Sequence, residues 1–316
     1  MKNRILTGIA LVSLLVLLFF TKTYTNYVFD AFFVYIAVIG GLEMSNLLTK
    51  IGFYNSKLII GIYPLLSYGL FKLTTIYKLP LYLVFFLQIA LILLITAGII
   101  VKNLIFKRKS DNEIITRKLN YTVKRFSFYK GIQTMLGMLY PAFVVVAMYC
   151  INNLNNLGYT FTKVGTNGYR ISLFFLLITL LIPVLVDTFA MLTGKIFKGK
   201  KLCPKLSPNK TISGAVGGLV WGVLGAVLVY FIFNSIDAFR LIFISINLTW
   251  WKMLIFGIFA SVICQVGDIF ESLIKRKAGV KDSGDLLPGH GGILDRFDSH
   301  LANMIVVFVF ALIILI

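Results

Sequence analysis

Apolar runs about as long as a bilayer is thick constrain this chain more than any other feature. They lie at residues 5–20, 27–48, 58–73, 80–101, 132–151, 170–192, 214–234, 252–274 and 300–316. A helix needs about 20 apolar residues to cross the hydrocarbon layer, because each residue advances it by only about 1.5 Å. The run after Met1-Lys2-Asn3-Arg4 has the outline of a signal peptide, but no small-x-small cleavage site followed by a soluble domain comes after it. It therefore counts as the first span. The expected fold is an all-α polytopic membrane protein with about nine transmembrane helices. Composition agrees: 59% of the 316 residues are hydrophobic, only 14% are charged, and the mean hydropathy is +0.90.

The few charges are unevenly placed. The net charge is +19, which suits anionic lipid or nucleotide phosphates. No basic soluble domain is present to hold nucleic acid, so none is expected as a partner. Of the 31 lysines and arginines, 22 fall in the loops 49–57, 102–131, 193–213 and 275–299. The positive-inside rule puts these four loops in the cytoplasm, with the cell membrane as the location; Lys2 and Arg4 then fall on the other side. Loops 193–213 and 275–299 share a face on this reading, and together they can build one site. Residues 235–251, ending in Trp250-Trp251, read as an interfacial segment. Cys150, Cys203 and Cys264 are isolated and read as small buried apolar residues.

Six of the 12 acidic residues (Asp268, Glu271, Asp282, Asp285, Asp295, Asp298) crowd into one stretch near the C-terminus. Asp268 lies within an apolar span, where a carboxylate is costly and usually functional. Asp187 sits in another apolar run, after Pro183. Glu43 is a weaker case of the same kind, or a buried structural group, and Asp30 and Asp237 read as interfacial. Asp295 and Asp298 are three apart and share a helix face. With Asp268 they suit Mg²⁺, which takes few carboxylates and keeps waters and substrate phosphates. The plain alternative for Asp295-Arg296-Phe297-Asp298 is a solvated loop paired with its own Arg296 and with Lys281. Pro288-Gly289-His290-Gly291-Gly292 is a glycine turn that either approaches a phosphate or merely turns the chain. His290 there donates to a phosphate or satisfies the loop. Lys210, at a membrane boundary, meets a phosphate or only marks topology. Gly214, Gly217, Gly218, Gly222 and Gly225 favour close helix packing. There is no GxxxxGK[ST] phosphate loop and no zinc spacing.

The run Ser272-x-x-Lys275-Arg276, Lys281-Asp282-x-Gly284-x-x-Leu287-Pro288-x-His290-Gly291-Gly292-Ile293-x-Asp295-Arg296-Phe297-Asp298 resembles the signature of the phosphatidate cytidylyltransferases. Asp187 to Lys195, and Ser207-Pro208-Asn209-Lys210-Thr211, resemble further blocks of that family. Met191 departs from its usual aromatic residue and Asn209 from its usual lysine. The resemblance implies transfer of a cytidylyl group from CTP to phosphatidate, with Mg²⁺ dependence, optionally beside K⁺, and a homodimeric membrane fold. It implies Asp268 and Asp295 as first-choice metal ligands, with Asp298 and Asp187 second. Because the reaction brings two anions together, Lys210, Lys275, Arg276 and Arg296 are expected to neutralise phosphates, with Asp282 in the same catalytic set and His290 as a positioner. Ser207, Lys210, Thr211, Gly291 and Gly292 are expected to contact substrate. The division expected is 1–131 for N-terminal spans with a basic connector, and 132–316 for a catalytic membrane domain. The alternatives are a CTP-dependent lipid kinase of the polyprenol type, releasing CDP, and a transporter with Asp187, Glu43 and Asp268 along an ion path.

Overall fold

The computed structural model describes residues 13–105, 123–157, 161, 163–204, 206–287 and 291–316. Nearly every apolar run becomes one helix: α1 Ser13–Lys22, α2 Tyr27–Lys50, α3 Lys57–Ile76, α4 Leu81–Ile105 and α5 Arg125–Asn152. After these come α6 Gly168–Phe197, a hairpin of β1 Lys201–Cys203 and β2 Ser207–Thr211, and α7 Ile212–Asn234. The short α8 Asp237–Ser245, α9 Trp250–Lys277 and α10 Leu294–Leu315 complete the chain. Among the described residues, eight helices are long and apolar enough to span a bilayer; α1 is shorter and follows residues outside the described set. The protein is an all-α polytopic membrane protein, with one small hairpin where the sequence suggested only a loop.

Three helices outlast their apolar runs on the side that carries the hairpin. α6 continues to Phe197, α9 to Lys277, and α10 begins at Leu294, ahead of the run at 300. Hydropathy stops at the first charges, but a helix stops where its backbone turns. Those turns come at Lys198 (φ 46) and Gly279 (φ 69), both left-handed. Asp268, Asp295, Asp298 and His300 are therefore all helical.

The chain divides into two units, residues 34–146 and residues 1–33 with 147–316, with both boundaries inside helices. In the first unit, buried polar side chains satisfy each other within apolar helices. Ser67 Oγ donates to Gln88 Oε1 at 2.9 Å, and Gln88 Nε2 returns a bond to the Ser67 carbonyl at 2.9 Å. The N-terminal end of α3 is held by side chains of α5: Gln133 Oε1 accepts from the Tyr54 amide at 2.6 Å and Thr134 Oγ1 from the Ser56 amide at 3.0 Å. Glu43 is buried in this unit.

The second unit carries the candidate site. At one place a polar knot is sealed from both water and lipid. Lys22 Nζ donates to Asn26 Oδ1, the Asn152 carbonyl and Asn152 Oδ1, each at 2.6 Å. Asn152 and Asn153 donate to Asp30 Oδ1 at 2.8 and 2.9 Å. Asp30, in the first turn of α2, is thus fully buried, with its carboxylate met by amides. Asp237 is exposed at the start of α8, 2.9 Å from Arg240. Cys150 and Cys264 are buried as expected, whereas Cys203 is only half-buried in the hairpin.

α6, α7, α9 and α10 pack against one another around the site. The seam between α6 and α7 exists because α7 lacks side chains there. A Cβ at Gly214 would lie 2.6 Å from the Ala190 carbonyl, and one at Gly218 would lie 3.0 Å from both Ala190 Cβ and the Val186 carbonyl. Lipid supplies no hydrophobic drive between helices, so this backbone-to-backbone contact carries the association. We expect Gly218→Val to force the helices apart and destabilise the protein by about 1–3 kcal/mol. Val220→Leu, on the exposed side of the same helix, should leave the unfolding midpoint in detergent unchanged. A thermal scan of both variants checks this.

Candidate active site

A helix crossing brings four carboxylates together. Gly267 on α9 allows it: a Cβ there would stand 2.5 Å from Ala302 Cβ and 3.0 Å from the Asp298 carbonyl of α10. That approach sets Asp268 and Glu271 of α9 against Asp298 of α10. Ser299, the next residue, donates its hydroxyl to Asp187 Oδ2 of α6 at 2.8 Å. Asp187, Asp268 and Asp298 are close enough for their charges to act on one another. Glu271 is fully buried, 3.3 Å from Lys275, with Asp298 facing it.

A cavity of about 820 Å³ opens beside this crossing. Its inner end is lined by Asp187, Asp268 and Gln265. Gln265 is fixed there by donating Nε2 to the Ala215 carbonyl at 3.2 Å and the Ser261 carbonyl at 3.3 Å. Asp187 is ten residues from the end of α6 at Phe197, about 15 Å along the helix. The outer end is lined by Lys195, Lys198 and Lys201. The hairpin closes one wall and inserts Lys210, whose Nζ stands 2.5 Å from Asp268 Oδ2. Thr211 ends that wall and starts the next helix, its hydroxyl accepting from the Gly214 amide at 3.1 Å. The two polar loops therefore meet: besides the Lys210–Asp268 pair, Arg276 Nε donates to the Leu206 carbonyl in the hairpin turn at 3.2 Å.

The remaining residues expected at the site serve a second cluster. Asp295 Oδ1 is 2.7 Å from Lys275 Nζ. Its Oδ2 accepts from the Ser283 amide at 2.8 Å, the Ser283 hydroxyl at 2.9 Å and the Gly292 amide at 2.8 Å. Gly291 has φ 80, and a Cβ there would lie 2.6 Å from Asp295 Oδ2, so this turn requires glycine. Asp295, Lys275, Gly291 and Gly292 thus tie down the loop between α9 and α10. Asp282 lies on the exposed side of that loop beside Gly291, and Arg296 is exposed on the first turn of α10. Ser207 is half-buried in β2 and does not line the cavity. His290 lies outside the described residues.

Five residues at the site were not singled out from the sequence. Glu271 was counted only as one acid among six. Lys195, Lys198 and Lys201 were read as topology signals, although their density after Asp187 was visible. Gln265 gave no signal, since a lone glutamine in an apolar run has many uses.

Among the described residues, Asp187, Asp268, Glu271, Asp295 and Asp298 face two ammonium groups at short range, Lys210 and Lys275. Carboxyl groups thus outnumber the cations beside them, and added positive charge would favour their ionised forms. All the donors are hard oxygens, which fits a hard divalent cation. Among the described residues no three candidate ligands already converge into a cage. Magnesium does not need one, because it takes one or two carboxylates and fills its shell with water and phosphate.

The Cytidylyltransferase family profile matches residues 2–314. Curated relatives carry the name phosphatidate cytidylyltransferase. One, from Rickettsia conorii (strain ATCC VR-613 / Malish 7), is 44% identical over 144 residues, covering 45% of this chain and 58% of the relative. Another, from Staphylococcus saprophyticus, is 36% identical over 186 residues, covering 58% of this chain and 61% of the relative. A third, from Staphylococcus haemolyticus, is 43% identical over 129 residues, covering 41% of this chain and 45% of the relative. The aligned part thus spans about half of these relatives' own length. With the profile running along almost the whole chain, the protein belongs to the Cytidylyltransferase family.

Proposed function

We propose that this protein transfers the cytidylyl group of CTP to phosphatidate, giving CDP-diacylglycerol and pyrophosphate. The observation that carries the reading is the cavity itself. It joins intramembrane carboxylates at its inner end to lysines at its outer end, so one site can take a lipid phosphate and a water-soluble triphosphate. The names of the relatives support the same substrates. The lipid's acyl chains stay among the helices, which accounts for a spanning scaffold around a reaction between two phosphates.

A terminal phosphate oxygen of phosphatidate attacks the α-phosphorus of CTP. The new P–O bond forms as the bond to the bridging α,β-oxygen breaks, and that oxygen leaves with pyrophosphate. The nucleophile is already an anion, so no strong general base is needed. The obstacle is repulsion between two anions, and the chain meets it with Lys210 at the inner end and lysines at the outer end. Asp268, with Asp187 or Asp298, would hold Mg²⁺, with K⁺ as an accompanying ion. Magnesium, when bound, neutralises phosphate charge and polarises the phosphorus. Gln265 and the Ser299–Asp187 bond keep the inner wall in place. Lys275 and Asp295 hold the α9–α10 loop, and Arg276 holds the hairpin turn.

The placement of 22 of the 31 basic residues in loops on one side supports a site open to the cytoplasm, in the cell membrane. The signature resemblance also supports a homodimer.

Purified protein incubated with labelled CTP, phosphatidate and Mg²⁺ should move cytidine into the lipid phase and release pyrophosphate. Release of CDP instead would sink this reading and favour a lipid kinase. Asp268→Asn should lower turnover by about 10²-fold or more while the protein still inserts. Near-normal turnover in that variant would remove Asp268 from the cation site.

Asp295→Asn should act differently. It weakens the Lys275 contact and frees the loop between α9 and α10, so limited proteolysis should cut within residues 278–293 faster than in the parent. Asp268→Asn should leave the cleavage pattern unchanged. Equal cleavage of the parent and Asp295→Asn would rule out the loop-holding role.

A further inference from the structure

Among the described residues, no carboxylate pairs with the three lysines at the outer end of the cavity. Lys210 is taken by Asp268, and Asp187 is taken by the Ser299 hydroxyl. Among the described residues, Lys195, Lys198 and Lys201 line the cavity with no ion pair to any acidic side chain. All three are exposed to solvent and line the same cavity, so a multiply charged anion entering it meets three ammonium groups.

The backbone is shaped to put two of them there. α6 ends on a left-handed residue, a position that usually takes glycine. Here it is Lys198, with φ 46, although Gly199 stands next to it. A positive φ is one that a side-chain-bearing residue seldom adopts. Gly199, one position later, passes close to α7, where a Cβ would lie 3.0 Å from Ser213 Oγ. The chain then enters β1, whose register pairs Lys201 with Thr211, the residue after Lys210. The Lys200 carbonyl accepts from the Ile212 amide at 2.9 Å, and Arg276 fixes the far turn at Leu206. Lys198 and Lys201 are thus carried on a segment pinned at both ends, lining the same cavity as Asp187 and Asp268.

We propose that Lys198 and Lys201 hold the β- and γ-phosphates of the nucleoside triphosphate and retain them as pyrophosphate after transfer. The inference rests on the function proposed above for its choice of ligand. It orients the nucleotide: the α-phosphorus lies inward near Lys210 and Asp268, and the leaving group points outward along the lysine wall. Pyrophosphate then competes with CTP but not with the lipid, which enters from the membrane. A free phosphate and an anionic lipid headgroup offer the same chemistry to a lysine, so the test separates them.

The full chain in lipid nanodiscs would be compared with Lys198→Gln, Lys201→Gln, the double variant, and Lys200→Gln as a neighbour that does not line the cavity. In the double variant, the KM for CTP and the inhibition constant for added pyrophosphate should each rise by about tenfold, the scale of losing a charge-assisted contact. The KM for phosphatidate should stay within about twofold, and Lys200→Gln should match the parent. Unchanged pyrophosphate inhibition in the double variant overturns the assignment. So does a rise in the KM for phosphatidate at constant KM for CTP, which would give these lysines to the lipid. Equilibrium dialysis with labelled pyrophosphate gives a readout independent of turnover. If the parent forms no CDP-diacylglycerol, the proposed function fails. Pyrophosphate retained by the parent and lost by the double variant still upholds the lysine site, and equal retention overturns it.

Discussion

A carboxylate within the hydrocarbon layer must be met by a donor or a cation, and the second unit is arranged around that demand. Asp187 is met by Ser299 from another helix, Asp268 by Lys210 from the hairpin, and Asp295 by Lys275 together with two backbone amides and a hydroxyl. Except for the Gly292 amide, three residues from Asp295, each of these contacts joins segments separated in sequence. The acids and their partners thus tie α6, α9, α10 and the hairpin to one another in addition to the glycine seams.

Convergence also needs room, and glycine provides it. Gly214 and Gly218 let α7 touch the backbone of α6, and Gly267 lets α9 touch α10 beside Asp298. Side chains at these places would fill the space that the cavity wall and the carboxylate cluster now occupy. Packing and chemistry are thus coupled: the seams that hold the helices together also bring the charges within reach of each other.

The signature stretch divides into two jobs that its compactness in sequence conceals. Asp268 and Asp298 reach the crossing beside the cavity, whereas Lys275, Gly291, Gly292 and Asp295 hold a loop. Along α9, Asp268, Glu271 and Lys275 are three and four residues apart and lie on one face. A single helix face therefore serves the carboxylate cluster at one level and the loop two turns further out. Lys275 touches both groups, at 3.3 Å from Glu271 and 2.7 Å from Asp295, and so links them.

The sequence alone determined the fold class and the positions of the long helices, because apolar runs of bilayer length have few ways to bury their backbone. It also pointed to Asp187, Asp268 and Lys210, because an isolated charge in an oily run is conspicuous. Helix ends were not legible: α6 and α9 run past the ends of their apolar runs until the backbone turns at Lys198 and Gly279. Nor was the burial of Asp30, which depends on amides from residues more than a hundred positions away. The role of Lys198 and Lys201 stayed hidden among lysines that serve topology equally well, since their meaning lies in the cavity they face. Partner choice belongs to the tertiary structure for one physical reason. Hydropathy is a property of a residue and its neighbours in sequence, whereas the energy of a buried charge depends on whatever the fold sets within a few ångströms of it.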